Sequence, residues 1–134
     1  MEWVNRHPPI QWELGATGPD AYDCWSWVRE VWRKHYGLCV PIISVSTESK
    51  SMYVRRFSQH DERRNWVSVE APRDGDAVLL GTNRFPTHVG VWIDLDGGRV
   101  AHCYDYVGLL VNDLPALRAA QWGSVKFYRH SSLI

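Results

Sequence analysis

The stretch Tyr22-Asp-Cys-Trp-Ser-Trp-Val-Arg-Glu-Val-Trp-Arg-Lys-His-Tyr-Gly37 decides how the rest of this chain is organised. Its apolar side chains recur at the spacing of a helix that buries one face, and they are Trp25, Val28, Val31, Trp32 and Tyr36. Asp23 has the chemistry of an N-cap, and Gly37 supplies a left-handed stop. The pattern therefore predicts a buried helix that begins directly after Asp23.

Cys24 falls in the first turn of this predicted helix. The unpaired backbone N–H groups and the helix dipole there favour a thiolate over a thiol, so Cys24 is a candidate nucleophile. The alternative is a buried cysteine that packs as a small apolar residue, which is what a free cysteine usually is. Position alone leaves both interpretations open.

The length and composition are those of one domain with a substantial core. The chain has 134 residues, eight of them Trp, and we treat residues 1–134 as a single domain. Lys and Arg together number 15, as do Asp and Glu, so the charge gives no reason to expect a nucleic-acid partner or an anionic membrane. Three Cys make no disulfide framework.

The N-terminus lacks the basic start and apolar run of a signal peptide, and no segment could span a bilayer. We therefore expect a chain that is made and folded in a reducing compartment without membrane insertion. If it acts outside the cell, something other than its own signal carries it there.

Helical patterns come first in the chain and strand patterns follow. Residues 2–6 indicate a short helix or turn, a loop that contains Trp12 follows, and a patchy apolar stripe predicts a helix over 47–69. Strands are predicted at 77–80, 87–94, 99–104, 106–111 and 123–129, with a short helix at 114–120. This order predicts an α+β fold in which N-terminal helices pack on an antiparallel sheet of about five strands. Trp12 is most simply a core anchor, with a cleft wall as the alternative.

Two histidines lie on neighbouring predicted strands. A hairpin loop at 94–98 places Gly90 opposite His102, so His88 and His102 share one face as diagonal neighbours about 7–8 Å apart at the backbone. Gly90 has no side chain, which leaves room for one imidazole to hydrogen-bond the other. A slip of one residue in register would send the two rings to opposite faces.

Thiol catalysis needs a base for the thiol proton and a third group that orients the base. Cys24 packed onto this sheet face would complete such a trio with His88 and His102. Two alternatives stay open at this point: the histidines are structural, or the three side chains bind zinc. No Cys-x-x-Cys or His-x-x-x-His pair holds two zinc ligands together. Cys103 points to the opposite face and is assigned to the core.

Four segments, taken in order, resemble the NlpC/P60 family of papain-like cysteine peptidases; they are residues 22–28, 74–80, 88–93 and 100–102. The Asp-Cys-Trp opening, the absent signal peptide and the ending at 122–130 are most similar to the branch encoded in phage tail and tail-like gene clusters. The resemblance covers nearly the whole chain, weakly across 42–70.

This resemblance implies a papain-like fold and hydrolysis of a peptidoglycan stem peptide, typically between D-glutamate and the diamino acid, without a metal or other cofactor. Cys24 matches the nucleophile, His88 the general base and His102 the residue that orients it. Asp23 matches the carboxylate that helps to hold the free amine of the stem peptide. The oxyanion would be met by backbone N–H groups at the helix start, including that of Cys24.

Two departures from the family concern the substrate. Trp12 stands about where the family usually has a tyrosine, and Ser26 stands where it usually has a glycine. With Asp23, we assign both to substrate binding.

The first interpretation is a cysteine peptidase made in the bacterial cytoplasm and carried to the wall in a phage or phage-like tail, with tail-tip proteins as partners. The rivals are a structural tail-tip subunit with little or no hydrolase activity, and a thiol amidase or acyltransferase.

Overall fold

The computed structural model describes residues 10–13, 16–40, 64–82, 87–104 and 107–133. The helices and strands within these ranges are, in chain order, β1 (Gln11–Trp12), β2 (Ala21–Tyr22), α1 (Cys24–Tyr36), β3 (Trp66–Val69), β4 (Ala77–Gly81), β5 (His88–Ile93), β6 (Arg99–Tyr104), β7 (Gly108–Asn112), α2 (Leu114–Ala119), β8 (Ser124–His130) and a 3-10 helix at Ser131–Leu133. The protein is α+β, as the sequence predicts. The predicted short helix or turn at residues 2–6 lies outside the described residues.

Helix α1 begins and ends where the sequence predicts. The side chain of Asp23 accepts a hydrogen bond of 2.8 Å from the backbone N–H of Ser26, which makes Asp23 the N-cap. Gly37 adopts the left-handed conformation with φ 68°, and its N–H donates to the carbonyl of Trp32. The first two turns are buried on more sides than the stripe indicated, because Trp27 is buried as well.

The main sheet of the described chain has six antiparallel strands in the order β3-β8-β4-β5-β6-β7. The meander from β4 to β7 follows the prediction, and β8 returns to lie between β3 and β4.

The helix predicted over 47–69 is wrong at its end, since Trp66–Val69 is a strand that pairs with β8. Its first two side chains differ in burial, as neighbours on a strand do: Trp66 is buried against Trp32 at 4.8 Å between ring centroids, while Val67 is 47% exposed. The rest of that predicted helix lies almost wholly outside the described residues.

The sheet packs a hydrophobic layer on each face. The α1 face carries Val89, Val91 and Ile93 of β5, in one cluster with Trp25 and Trp32 of the helix. Strand alternation sends the other set of side chains to the opposite face, where they pack on α2 and the residues after it. That second cluster comprises Val78, Leu80, Trp92, Val100, Leu117 and Trp122. Helix α1 therefore packs on one face of the sheet, and α2 packs on the other.

The turn Asp74-Gly-Asp76 fastens the sheet to helix α1. Trp32 donates its indole N–H to the carbonyl of Gly75 over 3.0 Å. Gly75 has φ 92°, and a Cβ there would come within 2.9 Å of the Tyr36 ring, so the turn requires glycine. The buried carboxylate of Asp76 binds both Nε and Nη2 of Arg129 at 3.0 and 2.8 Å. This fork ties the start of β4 to the end of β8.

Trp12 lies in a short strand, where the sequence predicted a loop. Strand β1 pairs in parallel with β2, which sets Trp12 opposite Tyr22. The backbone N–H of Asp23 donates to the carbonyl of Ala16 at 3.0 Å. The segment before α1 is thus held beside the first residues of the helix, with Trp12 half-buried against the α1-side core. None of the helices in the described part of the chain combines the length and apolar character needed to cross a membrane.

Candidate active site

The two histidines share one face of the sheet, as the sequence predicts. Ile93 pairs with Arg99 across the hairpin, which fixes the predicted register and brings Gly90 against His102. A Cβ on Gly90 would lie 3.0 Å from the Cβ of His102 and 2.9 Å from the carbonyl of Ala101. Glycine at this position is therefore what lets the neighbouring side chains approach one another.

His88 and His102 are hydrogen-bonded to each other inside the protein. The Nε2 atom of His88 lies 2.9 Å from the Nδ1 atom of His102, with the ring planes at 73°. The two residues are 0% and 1% exposed, so water does not compete for the bond. The pair is preorganised in the way that a base and its orienting group require.

Two aromatic side chains fix the plane of the His88 ring. Trp122 stacks on it at 5.5 Å between centroids and an interplanar angle of 16°, and Tyr104 meets it edge-on at 5.7 Å. Neither of them was predicted from the sequence to lie at the site. Tyr104 is two residues after His102 on the same predicted strand, so alternation alone indicates that both side chains lie on one face. Trp122 follows helix α2, and its position could not be read from any strand pattern.

Asn112 is a further polar contact that the sequence analysis missed. Its Oδ1 atom lies 2.7 Å from Nε2 of His102. Burial lowers the pKa of His102 below its ordinary value, and the hydrogen bond to Asn112 opposes that shift. Alternation along β7 puts Asn112 on the same face of the sheet as His102. The predicted strand ended at residue 111, one position before the asparagine, so this relationship was not seen.

Cys24 is the first residue of α1 and is 2% exposed. Asp23 is also 2% exposed, and one of its carboxylate oxygens is engaged by the N–H of Ser26, itself 7% exposed. The three residues therefore form one buried helix start. The sequence predicted the position of each in the helix, and their roles toward a substrate stay predictions.

The start of α1 and the histidine pair lie at the same end of the sheet. The thiol of Cys103, near the end of β6, donates to the carbonyl of Tyr22 at 3.5 Å. Because β6 is antiparallel to β5, this end of β6 lies beside His88, the first residue of β5. Cys24 packs with the α1-side cluster, whereas the His88 ring lies on the face of Trp122. This differs from the predicted packing of Cys24 on the sheet face of the two histidines. A contact between the Cys24 thiol and the His88 ring would have to go around the end of β5, and it stays a prediction.

The geometry of His102 argues against the zinc alternative. Both of its ring nitrogens take part in protein hydrogen bonds, Nδ1 with His88 and Nε2 with Asn112, which leaves neither for a metal. In the described ranges, no group of three or more His, Cys, Asp or Glu side chains is arranged to hold a metal ion.

A half-open cavity of about 530 Å³ lies on the far side of the sheet from α1. Its lining includes Thr82, Leu114, Arg118, Gln121, Trp122 and Phe127. The cavity shares Trp122 with the histidine pair, but neither His88 nor His102 lines it.

A sequence model of the NlpC/P60 family matches residues 10–125. The chain belongs to the NlpC/P60 family. The matched range contains Trp12, Cys24, His88 and His102, and the sheet with its packed helix is consistent with the papain-like fold of this family. Comparison with curated proteins found no match. NlpC/P60 proteins are usually cysteine peptidases or amidases, so membership suggests a cell-wall cysteine peptidase.

Proposed function

We propose that this NlpC/P60 chain is a cysteine peptidase that hydrolyses peptidoglycan stem peptides at the bond between D-glutamate and the diamino acid. The observation that carries the proposal is the buried hydrogen bond between His88 and His102, at the end of the sheet where the Cys24 helix begins. Family membership supplies the reaction class.

In the proposed reaction His88 takes the proton of the Cys24 thiol through Nδ1, because its Nε2 is directed at His102. The thiolate adds to the scissile carbonyl carbon, and backbone N–H groups at the start of α1 stabilise the oxyanion. The His88 imidazolium then protonates the leaving amine as the C–N bond breaks, which leaves a thioester on Cys24. Water, deprotonated by His88, hydrolyses the thioester and regenerates the thiol.

The substrate side of the proposal uses the residues before and within the first turn of α1. Asp23 holds the free amine of the stem peptide with its carboxylate, which also caps α1. Trp12, held opposite Tyr22, shapes the wall of the cleft, and Ser26 contributes beside Asp23. A carboxylate at a helix start and an indole wall suit a cationic amine on a short peptide.

Purified sacculi test the proposed reaction. The wild-type chain should release soluble wall fragments whose new ends, identified by mass spectrometry, are a D-glutamate carboxyl and a diamino-acid amine. Cys24→Ala should release none. Release by neither protein would point to the structural tail-tip subunit, and equal release by both would point to a contaminant. Transfer of the peptide to an added amine in preference to water would indicate an acyltransferase.

We further propose that a phage or phage-like tail carries the chain to the wall, with tail-tip proteins as its partners. The Asp-Cys-Trp opening of the helix and the ending at 122–130 support this. Mass spectrometry of purified particles should find the chain at a fixed ratio to tail-tip proteins. Its absence from particles that contain those proteins would contradict the location without touching the chemistry.

A further inference from the structure

Asn112, His102 and His88 form a continuous line of hydrogen bonds across three strands. Asn112 is the last residue of β7, His102 is on β6 and His88 is the first residue of β5. The two bonds measure 2.7 Å from Asn112 Oδ1 to His102 Nε2, and 2.9 Å from His102 Nδ1 to His88 Nε2. The line ends at the ring that the proposed reaction uses as its base.

The direction of each proton in this line follows from the chemistry of Asn112. A carbonyl oxygen only accepts, so Nε2 of His102 carries the hydrogen in that bond. A neutral imidazole has one N–H, which makes Nδ1 of His102 an acceptor. The hydrogen between the rings then belongs to Nε2 of His88, and the basic lone pair of a neutral His88 is on Nδ1.

We propose that Asn112 is a positioning residue that, through His102, holds His88 in the Nε2–H tautomer with its basic nitrogen at Nδ1. Without the amide oxygen, His102 is free to carry its hydrogen on Nδ1 and donate it to His88. His88 would then accept at Nε2 and carry its own hydrogen on Nδ1. That nitrogen must be unprotonated for His88 to take the proton of the thiol. The kinetic part of this proposal rests on the proposed hydrolase, whereas the tautomer part does not.

The surroundings of His102 favour its neutral state, which the assigned proton directions require. His102 is 1% exposed, and burial holds its pKa below the ordinary value. Among the described residues, the titratable side chains in ring contact with it are His88 on β5 and Tyr104 on β6, at centroid distances of 5.0 and 6.0 Å. On β7 the hydrogen-bonding partner is the uncharged Asn112.

Nitrogen-15 spectra of the chain labelled at histidine test the tautomers directly, since protonated and bare ring nitrogens resonate far apart. His88→Gln and His102→Gln assign the signals. In the wild type both His88 and His102 should be protonated at Nε2 and bare at Nδ1. Protonation of either ring at Nδ1 would overturn the proposal, whether or not the protein cleaves peptides.

Kinetics of Asn112 variants test the consequence. Asn112→Leu keeps the bulk and removes the acceptor, so kcat should fall at least about tenfold with KM nearly unchanged, since a base in the wrong tautomer is not productive. Asn112→Asp keeps an acceptor and should retain kcat near its optimum. Its carboxylate should raise the pKa of His102 and move the acid limb of kcat/KM to higher pH. Val111→Ala, at a 37% exposed position on the same strand, is the matched control.

The outcomes separate the two proposals. An Asn112→Leu variant with wild-type kcat and unchanged His88 signals would overturn the role of Asn112 and leave the hydrolase standing. A wild-type chain that cleaves nothing but shows the expected signals would overturn the hydrolase and leave the tautomer assignment. If Asn112→Leu does not fold, the wild-type spectrum and the pH profile of Asn112→Asp still decide.

Discussion

Nε2 of His88 and Nδ1 of His102 are hydrogen-bonded at 2.9 Å. The rings come from adjacent antiparallel strands and meet because Gly90 places no side chain against His102. Protonation of His102 would place hydrogens on both of its nitrogens and turn it from the proposed acceptor to a donor toward His88. The state of His102 therefore decides which His88 nitrogen can act as a base.

The first prediction concerns the pH dependence of stability. The pKa of His102 is lowered in the folded protein, mainly by burial, from an ordinary value of 6.5. As the pH falls below about 6.5, the unfolded chain binds a proton at this position before the folded chain does, so the free energy of unfolding decreases. The contribution of His102 to the free energy of unfolding is fully present above about pH 6.5, and it is lost as the pH falls through the lowered pKa of the folded protein.

Urea unfolding of the wild type and His102→Gln between about pH 8 and about pH 5 measures this. The wild-type midpoint should fall more steeply on the acid side than the midpoint of His102→Gln. Parallel profiles would mean that His102 does not titrate differently in the folded and unfolded states.

The second prediction compares two buried thiols. Cys24 and Cys103 are 2% and 0% exposed, so a difference in their reactivity reports activation and not exposure. At about pH 6.5, iodoacetamide should label Cys24 at least about tenfold faster than Cys103, because a first-turn cysteine beside a base has more thiolate character. Peptide mapping of the labelled chain measures the rates, with the exposed Cys39 as the unactivated reference. Equal rates at Cys24 and Cys103, or labelling of Cys24 only after denaturation, would count against an activated nucleophile.

The third prediction separates capping from substrate binding at Asp23. Asparagine caps a helix about as well as aspartate, so Asp23→Asn should keep the stability of α1 while Asp23→Ala loses about 1 kcal/mol. If the carboxylate binds the stem-peptide amine, Asp23→Asn should raise KM without lowering the unfolding midpoint. A stem peptide with an acetylated amine is the control, since it should bind the wild type and the variant equally. An unchanged KM would limit Asp23 to its role as the cap.

The fourth prediction concerns Trp12, which lies opposite Tyr22 at the approach to the helix. If the indole only shapes the wall, Trp12→Phe should keep most hydrolysis, and Trp12→Ala should lose substrate affinity and some stability. If the indole N–H is a needed donor, Trp12→Phe should lower the rate about ten- to a hundredfold, equivalent to roughly 1.4–2.7 kcal/mol in the barrier. We expect the first result. Unchanged rate and affinity in both variants would remove Trp12 from the site.

Local sequence signals predicted the elements that place the histidines and the cysteine. Helix α1 could be read from its stripe and its caps, because Asp23 and Gly37 act within one turn of it. The hairpin register followed from the loop length and the alternation of β5 and β6. That register was enough to predict that His88 and His102 share a face.

Three of the features that the sequence did not predict depend on contact with another segment of the chain. Trp66 is in a strand because its backbone pairs with that of His130 on β8, and no local sequence pattern encodes that pairing. Trp12 is in a strand for the same reason, through Tyr22. Trp122 stacks on His88 only because α2 and β8 return across the sheet. Asn112 was missed by a boundary error of one residue, which is the usual uncertainty of a strand end.

The central claim, that Cys24 is the nucleophile of a stem-peptide hydrolase, is tested most directly by one assay on a defined stem tetrapeptide. The products of wild-type and Cys24→Ser proteins are separated and weighed by mass spectrometry, after circular dichroism has shown that both are folded. The account predicts that the wild type yields the L-alanyl-D-glutamate dipeptide and the matching diamino-acid fragment, and that Cys24→Ser yields neither above the uncatalysed background. Cleavage at equal rates by the two proteins, or no cleavage by the folded wild type, would contradict it.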